Sequence, residues 1–171
     1  MRDPMSWLAL TSLVILTSCG GYSERSYKGD GTLRDHGWYS GSGRYTLDLG
    51  DVDLSSRGVR NYVLRNLPPE RMAVGLGFRT GLPTGAVLHL KLEHPAGTLI
   101  DEAGPLSEWL LSGSRDFTTF VYCTGVGDSW SETAGTAWGC VFKPRAAEEY
   151  RLALEVVEPG GPGTTARLIV E

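Results

Sequence analysis

Between Cys123 and Cys140 the chain passes through a stretch rich in Gly, Ser and Thr that nevertheless carries Asp128, Trp130, Glu132 and Trp138. Tryptophan faces stack on the CH groups of a sugar ring, and carboxylates accept hydrogen bonds from its hydroxyls. These residue types in one short stretch therefore suit a glycan. They suit a protein partner equally well, because Trp is among the residues that dominate interface hot spots. The two tryptophans can also fold back on the end of the domain that carries them, and composition leaves all three roles open.

Other constellations carry less. Asp48, Asp51 and Asp53 flank Gly50, and Asp51 and Asp53 fall on one face of a strand. Calcium takes several such hard oxygen ligands, but the spacing is not that of a helix-loop-helix calcium loop. Solvated strand carboxylates are the expectation. His36, His89 and His94 are the only histidines, and none has a partner at metal or catalytic spacing. They read as solvent-facing or edge residues. Gly127-Asp128-Ser129 matches serine-hydrolase motifs in three residues only, without the strand-turn-helix context and positioned histidine that a nucleophile elbow needs. There is no Gly-rich phosphate loop. The sequence thus predicts neither catalysis nor a cofactor nor a bound metal.

The N-terminal segment carries a different kind of chemistry. Residues 5–16 form one apolar run behind Arg2. As a helix it reaches about 18 Å, well short of a bilayer core of about 30 Å. It fits the apolar region of a cleavable signal peptide better than a spanning helix. The run ends at Leu16-Thr17-Ser18-Cys19-Gly20, an aliphatic residue, two small residues and a cysteine. This resembles the lipobox of bacterial lipoproteins. The resemblance implies that residues 1–18 are removed and that Cys19 becomes a lipidated first residue bearing three acyl chains. Two lipid signals already suffice for stable anchoring. In Gram-negative lipoproteins an Asp after the lipidated cysteine favours retention at the inner membrane. Gly20 stands there, which implies an outer-membrane protein facing the periplasm, with the inner membrane or cell surface as alternatives. With Cys19 acylated, Cys123 and Cys140 are the cysteines left, in a compartment where disulfides persist. Their pairing would close a loop of about 17 residues and contribute roughly 3 kcal/mol in the chain-entropy model.

Composition bounds the rest. The chain is 41% hydrophobic and 21% charged, with a formal net charge of −4, which is globular rather than disordered. No cluster of Lys and Arg offers the phosphate-neutralising surface that nucleic acids require. The cationic residues are mostly Arg, a bias that a GC-rich genome produces without functional content.

The elements that must position these residues read as strands. Residues 19–43, rich in Gly, Ser and Tyr, look like the lipidated N-terminus and a flexible tether. From Tyr45 the apolar residues alternate, and the phase slips after Gly50, which predicts a bulge or bend. Further strands are expected at Val59–Leu67, Met72–Phe78, Leu88–Leu92, Thr98–Asp101, Phe117–Cys123, Cys140–Lys143, Tyr150–Val156 and Ala166–Val170, separated by Gly/Pro turns. The residues of Met72–Phe78 opposite its apolar face are Ala73, Gly75 and Gly77, a smooth strip that invites close approach of a neighbouring segment or a ligand. Glu108–Leu111 reads as one helical turn or an edge strand. Together these predict a single all-β sandwich over residues 44–171, jelly-roll or immunoglobulin-like, of about eight or nine strands. The expected function is a non-catalytic, membrane-anchored lipoprotein that binds an envelope or exported protein. An immunity or inhibitor protein against a periplasmic toxin or glycan hydrolase, and a glycan-binding module, are the alternatives.

Overall fold

The computed structural model describes residues 22–37, 44–112, 117–123 and 140–171. They form an all-β sandwich of two antiparallel sheets. The five-stranded sheet has the order β1-β4-β11-β6-β7: Lys28–Gly29, Gly58–Arg65, Glu149–Glu158, Val87–His94 and Gly97–Pro105. The seven-stranded sheet has the order β2-β3-β12-β5-β9-β8: Thr32–Asp35, Tyr45–Asp53, Thr165–Val170, Met72–Phe78, Thr119–Tyr122 and Leu110–Ser112. Its seventh strand, β10 (Val141–Phe142), also pairs with β5.

The eight principal strands, β3 to β7 with β9, β11 and β12, pair from the outside inward. β3 pairs with β12, β4 with β11, β5 with β9 and β6 with β7. A long antiparallel hairpin folded back on itself gives this order, which is the jelly roll rather than the immunoglobulin topology. Of the four short strands, β10 answers to the strand expected at Cys140–Lys143 and β8 to the edge-strand reading of Glu108–Leu111, while β1 and β2 lie where a tether is expected.

Alternation drives the fold. Met72, Val74, Leu76 and Phe78 point inward from β5, Leu88, Leu90 and Leu92 from β6, and Leu152, Leu154 and Val156 from β11, all buried in one core. Each such side chain contributes about 1.5–3 kcal/mol on burial. In β3, Tyr45, Leu47 and Leu49 are followed by Val52 and Leu54, because Leu168 faces Gly50 while Ile169 faces Asp48. The extra residue is a bulge, with Gly50 at φ +92°. This is the phase slip visible in the sequence, and glycine takes that conformation without the penalty a Cβ brings. Residues 106–112 combine both readings of that segment: a 3₁₀ turn at Leu106–Glu108, then the edge strand β8.

The tether expected at residues 19–43 is corrected over residues 22–37. β1 pairs with β4, and β2 pairs with β3, so this segment joins both sheets. Leu33 is buried, and Tyr22 and Tyr27 pack against the core. Asn66 is the fastening point: its Nδ2 donates to Ser26 O at 2.6 Å, and its carbonyl accepts from the Tyr22 hydroxyl at 2.6 Å. Its Oδ1 accepts from Ala147 N–H and its own N–H donates to Glu148 O. Asn66 holds this position at φ +52°, which Asn tolerates better than most residues. The folded domain therefore begins by Tyr22, not at residue 44.

The winding gathers the connections at two ends. One end carries Tyr22, the β4–β5 connection, the β6–β7 hairpin, residues 143–148 and Glu171; Cys123 and Cys140 also lie toward it. We call it the disulfide end. The far end carries residues 54–57, 79–86 and 159–164, joined by a Gly160 N–H bond to Leu54 O.

Candidate functional site

β9 and β10 lie in succession along the same edge of β5. Tyr122 faces Gly75, and Val141 faces Ala73. The position between them, opposite Val74, is shared: Cys123 N–H donates to Val74 O, and Val74 N–H donates to Cys140 O, both at 3.4 Å. Cys123 and Cys140 thus divide one register position, with Cα atoms 5.5 Å apart and a disulfide between them. Both are fully buried. Residues 124–139 are therefore an insertion in what is otherwise one strand, and the cross-link staples its two ends. Cys140 re-enters at φ +50°, a left-handed conformation costing roughly 1–2 kcal/mol for a residue with a Cβ. The covalent bond and the β10 pairing hold it there.

β5 is hydrogen-bonded on both edges, to β12 and to β9 and β10, so the staple lies beside an interior strand, just past Tyr122, where β8 stops bordering β9. Asp128, Trp130, Glu132 and Trp138 lie outside the described residues, as do Gly127, Ser129 and Cys19. Trp38 and Tyr39 do too. The structure locates the two points from which residues 124–139 depart.

The outer face beside the staple is apolar. A Cβ added at Gly75 would stand 2.6 Å from the Phe120 ring, and one at Gly77 would stand 2.5 Å from the Phe117 ring. The small-residue strip is occupied by the domain's own aromatics, so it is not an open groove. Phe120 and Tyr122 stack edge to face at 4.9 Å, Phe117 lies 5.9 Å from Phe120, and Ile169 joins them. The Tyr122 hydroxyl donates a short hydrogen bond to Glu171 Oε1. Burial, then the neighbouring carboxylate, push that phenol far above its ordinary range. Glu171 is also paired to Ala73 through both backbone groups, which extends β12 to the end of the sequence.

On the five-stranded sheet, still at the disulfide end, a pocket of about 450 Å³ lies between the Glu93–Thr98 hairpin and the side chains of Glu149 and Arg151. Its polar groups are already engaged: Glu149 accepts from Arg65 at 2.8 Å and from Arg151 at 3.4 Å, and Glu93 pairs with Lys91 at 2.5 Å. The sequence signals this hollow only as the turn Pro95-Ala96-Gly97. His94, expected at a solvent-facing edge, is instead packed with its ring on Tyr150 at 5.7 Å. Its Nδ1 accepts from Ala96 N–H, which leaves Nε2 to donate to Glu148 at 3.2 Å.

The aspartates around Gly50 have separate duties. Asp48 receives two hydrogen bonds from Arg167, at 2.8 and 2.7 Å, and Asp51 receives a third at 3.1 Å. Burial opposes charge on Asp48, but the Arg167 guanidinium and Gly50 N–H outweigh it and hold the carboxyl below the usual range. Asp53 accepts from the hydroxyls of Ser55 and Ser56 and turns the chain toward β4. The oxygens of Asp48 are committed to Arg167 and those of Asp53 to the turn, while Asp51 is largely exposed. Among the described residues no three His, Cys, Asp or Glu side chains converge as a metal site. His89 bridges Asp101 at 2.6 Å and Glu155 at 3.5 Å on the exposed face of the five-stranded sheet. No described helix is long and apolar enough to cross a membrane. The chain matches no protein family, no curated protein and no solved structure.

Proposed function

We propose that the chain is a membrane-anchored lipoprotein of the periplasm whose jelly roll presents residues 124–139 to a protein partner in an envelope assembly. The observation that carries this reading is the staple. A disulfide whose two cysteines share one register position opposite Val74 serves the insertion rather than the sheet, since β9 and β10 could meet there without it. Cross-linking both ends lowers the conformational entropy that residues 124–139 lose on binding. Trp130 and Trp138, with Asp128 and Glu132, supply anchor and rim chemistry. The lipobox-like Leu16-Thr17-Ser18-Cys19 supports the anchoring, and outer-membrane sorting follows from Gly20 by the same resemblance.

Two experiments test this. Metabolic labelling with a fatty acid should mark the wild type and not Cys19→Ser; an unlabelled wild type rejects the anchor. A photo-crosslinker at Asp128 should then trap one protein in intact cells, at near-equal stoichiometry. Its yield should fall at least tenfold in Trp130→Ala with Trp138→Ala. An unchanged yield removes the tryptophans from the site. Retention on cell-wall polysaccharide, with no protein trapped, replaces the reading with glycan binding. A trapped toxin or hydrolase makes the chain an inhibitor.

A further inference from the structure

We infer that the disulfide end of the sandwich faces the bilayer that holds Cys19, within about 10 Å of its surface. The inference rests on the acylation of Cys19 proposed above and adds the orientation of the domain. Only Gly20 and Gly21 separate Cys19 from Tyr22. Three residue steps span at most about 10 Å.

Tyr22 is fixed to the domain. Its ring packs edge to face on Tyr45 at 5.3 Å, and its hydroxyl donates to Asn66 O. Its own carbonyl accepts from the Tyr45 hydroxyl at 3.2 Å. Beyond it, Asn66 holds Ser26, and the Asp30 carboxylate accepts from Val63 N–H at 2.7 Å. β1 and β2 then lock the segment into one sheet each. A flexible tether over residues 20–43 would average about 27 Å end to end and allow any orientation. Three residues allow few.

Every fixed point of that clasp lies at the disulfide end, as do Cys123 and Cys140. The far end stands away by the length of β11, ten residues or about 33 Å. Lying the sandwich on the flank of its five-stranded sheet would press Arg65, Glu149, Arg151, Glu93 and Lys91 toward lipid, against only the scattered exposed side chains of Val59, Leu99 and Val157. Contact by the end leaves that face in water.

The test uses the full-length lipidated protein in vesicles containing a headgroup-spin-labelled phospholipid. A fluorophore is placed at Ala146→Cys on the disulfide end or Thr84→Cys at the far end, both exposed. The expected result is at least threefold stronger quenching at residue 146 than at residue 84. Equal quenching at the two positions, or stronger quenching at residue 84, overturns the orientation. Twelve Gly/Ser residues inserted between Gly21 and Tyr22 should erase the difference; persistence of the difference means something other than the short link sets it. Tyr22→Phe combined with Asn66→Gly, which keeps the backbone conformation and removes the Tyr22 hydroxyl and Asn66 side-chain bonds of the clasp, should shrink it at unchanged fold by circular dichroism. A protein that never acquires acyl chains, checked by mass, defeats the anchoring proposal itself. An acylated protein with equal quenching defeats only the orientation.

Discussion

The two outer faces of the sandwich solve the same problem in opposite ways. On the five-stranded sheet the outward face carries ion pairs in water, Arg65 on Glu149, Lys91 on Glu93, and His89 between Asp101 and Glu155, among scattered exposed apolar residues such as Val59. On the seven-stranded sheet Phe117, Phe120, Tyr122 and Ile169 make a second apolar layer over Gly75 and Gly77. Exposed ion pairs contribute little to stability, typically under about 1 kcal/mol. Buried aromatics contribute several. The seven-stranded sheet is thus covered on both sides around β5, where the disulfide also sits, and that region should carry more of the stability per residue.

Phe120→Ala tests this most directly. Phe120 is 1% exposed, and large aromatic deletions cost about 3–5 kcal/mol. Lys91→Ala on the opposite face should change stability by no more than about 0.5 kcal/mol. Urea midpoints measure both, and equal losses would break the contrast. The reason the loss should be large is also the reason Gly75 is glycine: Phe120 fills the space a side chain would need.

The disulfide comes next. Replacing Cys123 and Cys140 together by Ser removes a closed loop of 17 residues, worth about 3 kcal/mol in the chain-entropy model. Reduction of the wild type should give the same shift in urea midpoint. A shift below about 1 kcal/mol would mean that β10 pairing alone holds Cys140 in its left-handed conformation.

Most of this architecture was legible in the sequence because a strand with one buried face writes its register as period two. Met72–Phe78 is read to the residue, and the Gly50 bulge shows as a phase slip. β1 and β2 were not legible. They are two and four residues long, with Leu33 their only buried apolar side chain, and backbone hydrogen bonds through Asn66 hold them as much as packing does. A Gly- and Ser-rich stretch looks the same whether it is free or clasped. The glycine strip announced a close approach but not its occupant, because Phe117 and Phe120 lie some forty residues downstream. Trp130 and Trp138 are conspicuous by type, whereas the shared register at Val74 that pins their segment depends on pairings no local pattern contains.

A smaller effect separates the faces by pH. Arg167 ties Asp48 and Asp51 across β3 and β12, and Arg167→Ala should cost about 1–2 kcal/mol near neutral pH by leaving the half-buried Asp48 carboxylate without its charged donor. Asp48 titrates below its ordinary range in the folded state. Its contribution is therefore complete above the unfolded value of about 3.9 and is lost as pH falls through the folded value. Arg167→Ala should flatten the acid arm of a stability–pH curve; a parallel curve would show that the pair does not govern it.

His89 gives the opposite sign on the opposite face, and the smallest change. Hydrogen bonding to Asp101 first, and to Glu155 after it, raises the imidazole above its ordinary range despite some desolvation. A raised folded-state value means that the protonated form is the stabilised one. Its contribution is complete below the unfolded value of about 6.5 and disappears as pH rises through the folded value. The wild type should therefore lose a little stability between about pH 6 and pH 8, and His89→Gln should lose none over that interval. Thermal unfolding at both values, in low salt and again in about 0.5 M salt, separates the causes. Screening at that ionic strength shortens the Debye length to a few ångströms, so an exposed pair should lose most of its pH dependence. A pH dependence that survives both the salt and the substitution would belong to another group, and the charged face would then be electrostatically silent.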